Sequence, residues 1–87
     1  MKIEKNAVAG TLESSDIYIS VEPAETLELE IDSVVSNQYY DEIHRTLQEV
    51  LQEYKIESGK VSVKDRGALE CVIRARMETA IKRGGAC

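Results

Sequence analysis

The sequence predicts an α+β fold: a single-domain, two-layer sandwich in which a mostly antiparallel sheet carries two helices on one face, in the order β-β-β-α-β-α. Residues 17–22 and 26–32 alternate apolar and polar side chains, which is the pattern of half-buried strands. Two longer segments repeat apolar residues every three or four positions, the pattern of amphipathic helices. The 87 residues are enough for one domain, spanning residues 1–87.

The first predicted strand covers residues 5–12. It contains Gly10, which indicates a bulge or a close approach by another backbone. The hairpin that follows has its tip at residues 13–16, with Ser14 and Ser15 at the turn. Serine at a turn is exposed, so a partner protein can reach its hydroxyl.

The second and third strands are predicted at residues 16–21 and 26–32 and are joined by a turn at Pro23, so that hairpins connect all three strands. A fourth, returning strand follows a break at residues 57–59. One face of this sheet is expected to be buried under both helices. Its predicted inward-facing residues are Ile17, Ile19, Val21, Leu27, Leu29, Ile31, Val61 and Val63.

The first helix is expected to start at an N-cap formed by Ser36 or Asn37. Its apolar stripe consists of Tyr40, Ile43, Leu47, Val50, Leu51 and Tyr54. The second helix is predicted at residues 67–83, capped by Asp65 and ended by the Gly84-Gly85 pair. Its stripe consists of Leu69, Val72, Ile73, Met77, Ala80 and Ile81. Cys71 lies beside this stripe and is predicted to be a small packing residue, and Glu70 to pair with Arg74 one turn on.

Composition excludes several functions. The net charge is −5, and residues 1–36 hold eight acidic and two basic side chains, which argues against binding to nucleic acid. No apolar run approaches the 18 residues of a membrane span, and the N-terminus lacks signal-peptide character, so we expect a cytoplasmic protein that does not bind membranes.

Catalytic and metal-binding patterns are not found either. The two cysteines, Cys71 and Cys87, are not spaced as CxxC and there is one histidine, so no zinc site is predicted, and a disulfide is not expected in a reducing compartment. The sequence has no nucleophile elbow, P-loop or HExxH motif. We therefore expect a non-catalytic adaptor, inhibitor or carrier.

Two segments resemble a known family. Residues 7–16, AVAGTLESSD, resemble the N-terminal motif of the acyl carrier proteins of citrate lyase, the gamma subunits of that enzyme. Residues 65–76, DRGALECVIRAR, are similar to the family's D-(K/R)-G-A-L-(D/E)-C-x-x-R-A-R segment. The resemblance runs over almost the whole chain, and the two motifs together are specific.

The resemblance implies a covalent cofactor. Matching G-T-L-E-S-x-D residue by residue places the family's 2'-(5''-phosphoribosyl)-3'-dephospho-CoA group on Ser14. Ser15 stands at the variable position and is the second candidate. Ser33, in Asp32-Ser33-Val34, echoes the attachment site of fatty-acid carriers, but it follows an alternating strand, so its expected role is in the strand-to-helix turn.

The resemblance also implies a role and partners. The arm's thiol would hold acetyl or citryl as a thioester while citrate is cleaved to acetate and oxaloacetate. The expected partners are the alpha (CoA-transferase) and beta (citryl-lyase) subunits of citrate lyase, and a transferase that loads the prosthetic group. Two alternatives stay open: the analogous carrier of malonate decarboxylase, and an interaction subunit with no covalent group.

Overall fold

A computed structural model describes residues 1–33 and 37–85 and confirms the predicted order of elements. The elements are β1 (Ala7–Gly10), β2 (Ile17–Glu22), β3 (Leu27–Ser33), α1 (Asn37–Glu53), β4 (Gly59–Asp65) and α2 (Glu70–Arg83). The side chains of the predicted helix caps Ser36 and Asn37, and the terminal Cys87, lie outside the described part of the chain.

The four strands form one mixed sheet in the order β1-β2-β4-β3. The pairs β1–β2 and β2–β4 are antiparallel, and β3–β4 is parallel. The prediction of a hairpin between β2 and β3 is therefore wrong, because β4 lies between them. Helix α1 supplies the long crossover that the parallel pair β3–β4 requires.

The core lies between one face of the sheet and both helices, as predicted. Its buried apolar strand residues are Ala9, Ile17, Ile19, Val21, Val61 and Val63. The helices contribute Ile43, Leu47, Val50 and Leu51 from α1, and Ile73, Met77, Ala80 and Ile81 from α2. At about 25 cal/mol per Å² of buried apolar surface, this interleaved cluster is the main stabilising term of the fold.

Residues near the edges of the sandwich are more exposed than their periodicity predicts. Leu27 begins the edge strand β3 and is 42% exposed, while Leu29 and Ile31 on the same strand are half-buried. Tyr40, in the first turns of α1, is also exposed. An edge strand has a neighbour on one side only, so its inward face is covered less completely.

Helix α2 starts later than predicted. Its first residue is Glu70, and its N-cap position is Leu69, which makes no side-chain cap hydrogen bond. Asp65 instead ends β4, where its buried carboxylate accepts hydrogen bonds from the Ala68 N–H and the Ser33 hydroxyl, both at 3.0 Å. Asp65 therefore stabilises the loop before the helix rather than the helix itself.

Two predictions about side chains on α2 are also corrected. Cys71 is an exposed free thiol and not a packing residue. Arg74 does not pair with Glu70 in the structure: its guanidinium reaches across to Glu49 (3.2 Å) and Glu53 of α1. Hydrogen bonding to Glu53 raises the pKa of Arg74 above its usual value. The long arginine side chain thus ties the two helices together.

Strand β1 is shorter than predicted, and its last residue has an unusual backbone. Gly10 has φ +89°, and a Cβ atom at this position would lie 1.8 Å from the Ile17 carbonyl oxygen. The predicted close approach of another backbone is confirmed. Gly67 shares the left-handed conformation, with φ +91°, but a Cβ there would have no atom within 4 Å.

These two glycines give a matched test of the backbone contact. Gly67→Ala should lower the free energy of unfolding by about 1–2 kcal/mol, the cost of a side chain in the left-handed region. Gly10→Ala should lower it by about 3 kcal/mol or more, because backbone strain and overlap with Ile17 add. Urea unfolding followed by circular dichroism measures both. Equal losses in the two variants would show that the contact at Gly10 is not rigid.

Candidate functional site

The loop between β1 and β2, residues 11–16, carries both candidate serines. The Glu13 carbonyl accepts a hydrogen bond from the Asp16 N–H at 3.2 Å, which closes a four-residue turn with Ser14 and Ser15 at its centre. Both serines are exposed. The predicted hairpin tip is therefore present, with its hydroxyls at the surface.

The two serines differ in their backbones. Ser15 has φ +65°, in the left-handed region, and its N–H donates a hydrogen bond to the Arg66 carbonyl at 2.8 Å. Within the described residues, the Ser14 hydroxyl makes no hydrogen bond. Ser14 thus lies at the apex of the turn. The N–H of Ser15 holds the turn to the Arg66 carbonyl.

Asp16 anchors the base of the turn. Its Oδ2 accepts a hydrogen bond from the Thr11 hydroxyl at 2.7 Å, and its Oδ1 accepts one from the Ile17 N–H at 2.7 Å. Arg76, on α2, donates from Nε to Oδ1 and from Nη2 to Oδ2, both at 3.2 Å. We call the group Thr11, Asp16 and Arg76 the Asp16 clamp.

A second set of bonds reinforces the clamp through the main chain. The Arg66 N–H donates to the Asp16 carbonyl at 2.9 Å, and the Arg66 carbonyl accepts from Ser15. These bonds continue the β2–β4 ladder, in which Ile17 is opposite Asp65. Segments 7–16 and 65–76, which are far apart in the sequence, therefore meet around one turn.

The clamp sets the charge state of Asp16. Its pKa is lowered from 3.8 to about 2, chiefly by the Thr11 hydrogen bond, then by the Ile17 N–H and by Arg76. The Asp16 side chain is 15% exposed, so these donors replace most of its water. At neutral pH, Asp16 is a carboxylate that is already fully used as an acceptor.

Ser33 is placed differently from the two turn serines. It is half-buried at the end of β3, and its hydroxyl donates to the buried Asp65 carboxylate at 3.0 Å. A partner enzyme would have to break this bond to use the hydroxyl. The structural role that the sequence predicts for Ser33 agrees with this position.

The sequence patterns did not predict that the three residues of the clamp are in contact. Thr11 and Asp16 belong to the first motif and Arg76 to the second, but nothing in local periodicity shows that Asp16 and Arg76 touch. The available signal was the presence of both motifs in one small domain. Their meeting point could be found only from the fold.

Comparison with known proteins identifies relatives over most of the chain. A family model described as malonate decarboxylase delta subunit matches residues 4–84. A citrate lyase acyl carrier protein of Treponema denticola is 45% identical over 95% of this chain and 95% of its own length. Proteins of the same name from Haemophilus influenzae and Serratia proteamaculans are 49% and 52% identical over 95% of this chain, and over 87% and 83% of their own lengths.

A solved structure shares the fold. A chain in the crystal structure of a Pseudomonas malonate decarboxylase hetero-tetramer in complex with malonate matches with a TM-score of 0.82. The match covers 95% of this chain and 87% of that chain, at 18% sequence identity. At this identity the likeness supports the architecture and not the activity.

The low pKa of Asp16 makes stability depend on pH. A carboxylate whose pKa falls on folding stabilises the native state above its unfolded pKa of 3.8, and this contribution is lost as the pH falls toward about 2. Asp16→Asn should therefore unfold at lower urea concentration at pH 6, with a difference from wild type that shrinks between pH 4 and pH 2.

Glu25→Gln is the control, because Glu25 is an exposed carboxylate in the loop before β3. Urea midpoints measured at intervals of half a pH unit should show little of this pH-dependent difference for Glu25→Gln. Parallel curves for wild type and Asp16→Asn over the whole range would mean that the clamp does not form in solution.

Proposed function

The chain belongs to the citrate lyase acyl carrier protein family, and we propose that it carries acetyl and citryl groups on a prosthetic arm attached to Ser14. The observation that carries this proposal is the exposed, clamped turn that presents Ser14, at the position where the family motif has its modified serine. The reaction served would be the cleavage of citrate to acetate and oxaloacetate.

The residues around Ser14 fit a covalently attached group of this kind. The proposed group is 2'-(5''-phosphoribosyl)-3'-dephospho-CoA, whose terminal thiol would supply the thioester chemistry. Ser14 is exposed, and its hydroxyl makes no hydrogen bond within the described residues, so a bulky substituent can leave the surface without displacing a neighbour. The chain itself needs only to hold and present the attachment point.

Loading requires help from another protein. The Ser14 oxygen would attack phosphorus of a triphosphate donor, so that an O–P bond forms, the bond to the leaving diphosphate breaks, and a base takes the hydroxyl proton. Two carboxylates belong to the same turn. Asp16 is a poor base because of its four hydrogen bonds and low pKa, and Glu13 is exposed and makes no hydrogen bond with the Ser14 hydroxyl in the described part of the chain. The transferase would therefore supply the base and the metal.

The contribution of this chain to catalysis would be tethering. A flexible arm on a fixed turn keeps its thioester at high effective concentration near two active sites in turn. The clamp and the Arg66 backbone bonds hold the base of the arm, so that the arm and not the protein moves. The chain would be a non-catalytic subunit of a lyase complex.

The proposed partners are the alpha and beta subunits of citrate lyase and the loading transferase. Neither helix in the described part of the chain is long and apolar enough to cross a membrane. A cytoplasmic location follows from the proposed complex.

A second candidate is a carrier for malonate decarboxylase. The description of the family model and the shared fold of the Pseudomonas structure favour it. Sequence identity favours citrate lyase, since the named citrate lyase carriers are 45–52% identical and the malonate decarboxylase chain is 18% identical. A third alternative is an interaction subunit without a covalent group. Its mass would not change after incubation with the loading transferase and its donor.

The attachment site is tested by loading purified variants with the transferase and its triphosphate donor. Wild type should gain one adduct of the mass of the prosthetic group, and Ser14→Ala should gain none. Ser15→Gly is the matched control: it removes the other hydroxyl and suits the positive φ at that position, so it should load fully. Intact mass spectrometry and peptide mapping provide the readout.

Two outcomes would contradict the assignment. A full adduct on Ser14→Ala with none on Ser15→Gly would move the site to Ser15. No adduct on wild type, with a transferase that loads a known carrier under the same conditions, would favour the unmodified interaction subunit.

A further inference from the structure

A groove of about 560 Å³ opens between the first half of α1 and the loop that precedes α2. Its lining includes the buried side chains of Ile43 and Ile73 and the exposed side chains of Tyr39 and Leu69. Leu69 is 71% exposed, more than any other large apolar side chain in the described part of the protein. An exposed apolar side chain in the lining of a groove is suited to contact with a ligand.

The groove lies next to the serine turn. Gly67 lines it and directly follows Arg66, whose carbonyl accepts the 2.8 Å hydrogen bond from Ser15. Standard backbone geometry across this bond limits the distance between the Cα atoms of Ser14 and Gly67 to at most roughly 8 Å. An arm attached to Ser14 therefore starts close to the groove, and being longer than this distance it can fold back into it.

The charges around the groove restrict what it can hold. Three carboxylates line it, those of Glu42, Asp65 and Glu70, against one guanidinium, that of Arg45. The N-terminus of α2, at Leu69 and Glu70, adds a partial positive charge of about +0.5, so the net charge stays negative and disfavours phosphate and carboxylate groups of a ligand. The groove is therefore suited to the uncharged end of a ligand.

The buried polar groups of the groove already have partners. The Asp65 carboxylate accepts from Ser33 and Ala68, and the Thr46 hydroxyl donates to the Glu42 carbonyl at 2.9 Å. A ligand would gain chiefly apolar contact, with Leu69 and the two isoleucines, so the groove would hold a small neutral group reversibly.

We propose that this groove holds the acetylated end of the arm on Ser14 between transfers, and that its carboxylates exclude an acyl end that carries negative charge. The inference rests on the proposed function. An acetyl thioester is neutral and would be sheltered from water, whereas a citryl thioester carries free carboxylates and would stay outside. Exchange of acetyl for citryl would then release the arm from the carrier.

The test compares two caps on the arm's thiol that are nearly equal in size and differ in charge. The carrier is made with Cys71→Ser and Cys87→Ser, because the exposed Cys71 thiol would also be alkylated. After loading, iodoacetamide gives a neutral cap and iodoacetate an anionic one. Amide chemical shifts from ¹⁵N spectra should move for residues 43–46 and 67–70 with the neutral cap, and should stay near their values in unloaded protein with the anionic cap.

A pair of surface variants locates the effect. Leu69→Asp removes an apolar contact and adds a negative charge at the groove, so it should abolish the shifts caused by the neutral cap. Leu27→Asp is the control, since Leu27 is also an exposed leucine but lies on the edge strand and not in the groove. It should leave these shifts unchanged.

The outcomes separate the inference from the proposed function. Protein that carries the expected adduct, but gives the same groove shifts with both caps, would overturn the inference and leave the carrier role intact. Absence of any adduct would overturn the proposed function and the inference with it. Loss of the shifts in Leu27→Asp as well as in Leu69→Asp would also overturn the groove assignment.

Discussion

The position of the serine turn depends on the carboxylate of Asp16, which joins the β1–β2 turn to helix α2. Four hydrogen bonds converge on this group, from the Thr11 hydroxyl, the Ile17 N–H and the Arg76 guanidinium. A small domain has few residues with which to fix a surface loop, and a bidentate arginine gives orientation as well as attraction. The clamp therefore fixes the position of an exposed loop relative to helix α2.

This arrangement separates two requirements of a carrier. The proposed attachment point, Ser14, would have to be accessible to partner enzymes, and it lies at the apex of the turn with its side chain exposed. It would also have to be held in position relative to the domain. The Arg66 backbone bonds and the Arg76 side chain, together with the buried sheet, hold the turn in this way. The nearby groove is the surface on which we propose that the arm rests between transfers.

Periodicity predicted most of the fold, because the spacing of the buried residues follows the repeat of the strand or helix that contains them. It identified the buried faces of β2 and β4 and the inner stripes of both helices. It could not show that β4 inserts between β2 and β3, since alternation is the same for either neighbour. It placed Leu69 in the stripe of the second helix, although that helix begins only at Glu70. It also predicted Cys71, beside the stripe, to be a packing residue, although its thiol is exposed. Periodicity could not predict the clamp, because Asp16 and Arg76 are 60 residues apart in the sequence.

The central claim is that Arg76, acting through Asp16, holds the serine turn. Hydrogen exchange at the Ser15 amide measures this most directly, because that N–H is bonded to the Arg66 carbonyl only while the turn is in place. We expect the Ser15 amide to be protected in wild type and to exchange at least about tenfold faster in Arg76→Gln, with core amides such as that of Val63 unchanged. A Ser15 amide that exchanges at the rate of an unfolded peptide in wild type, or at the same rate in both proteins, would contradict the account.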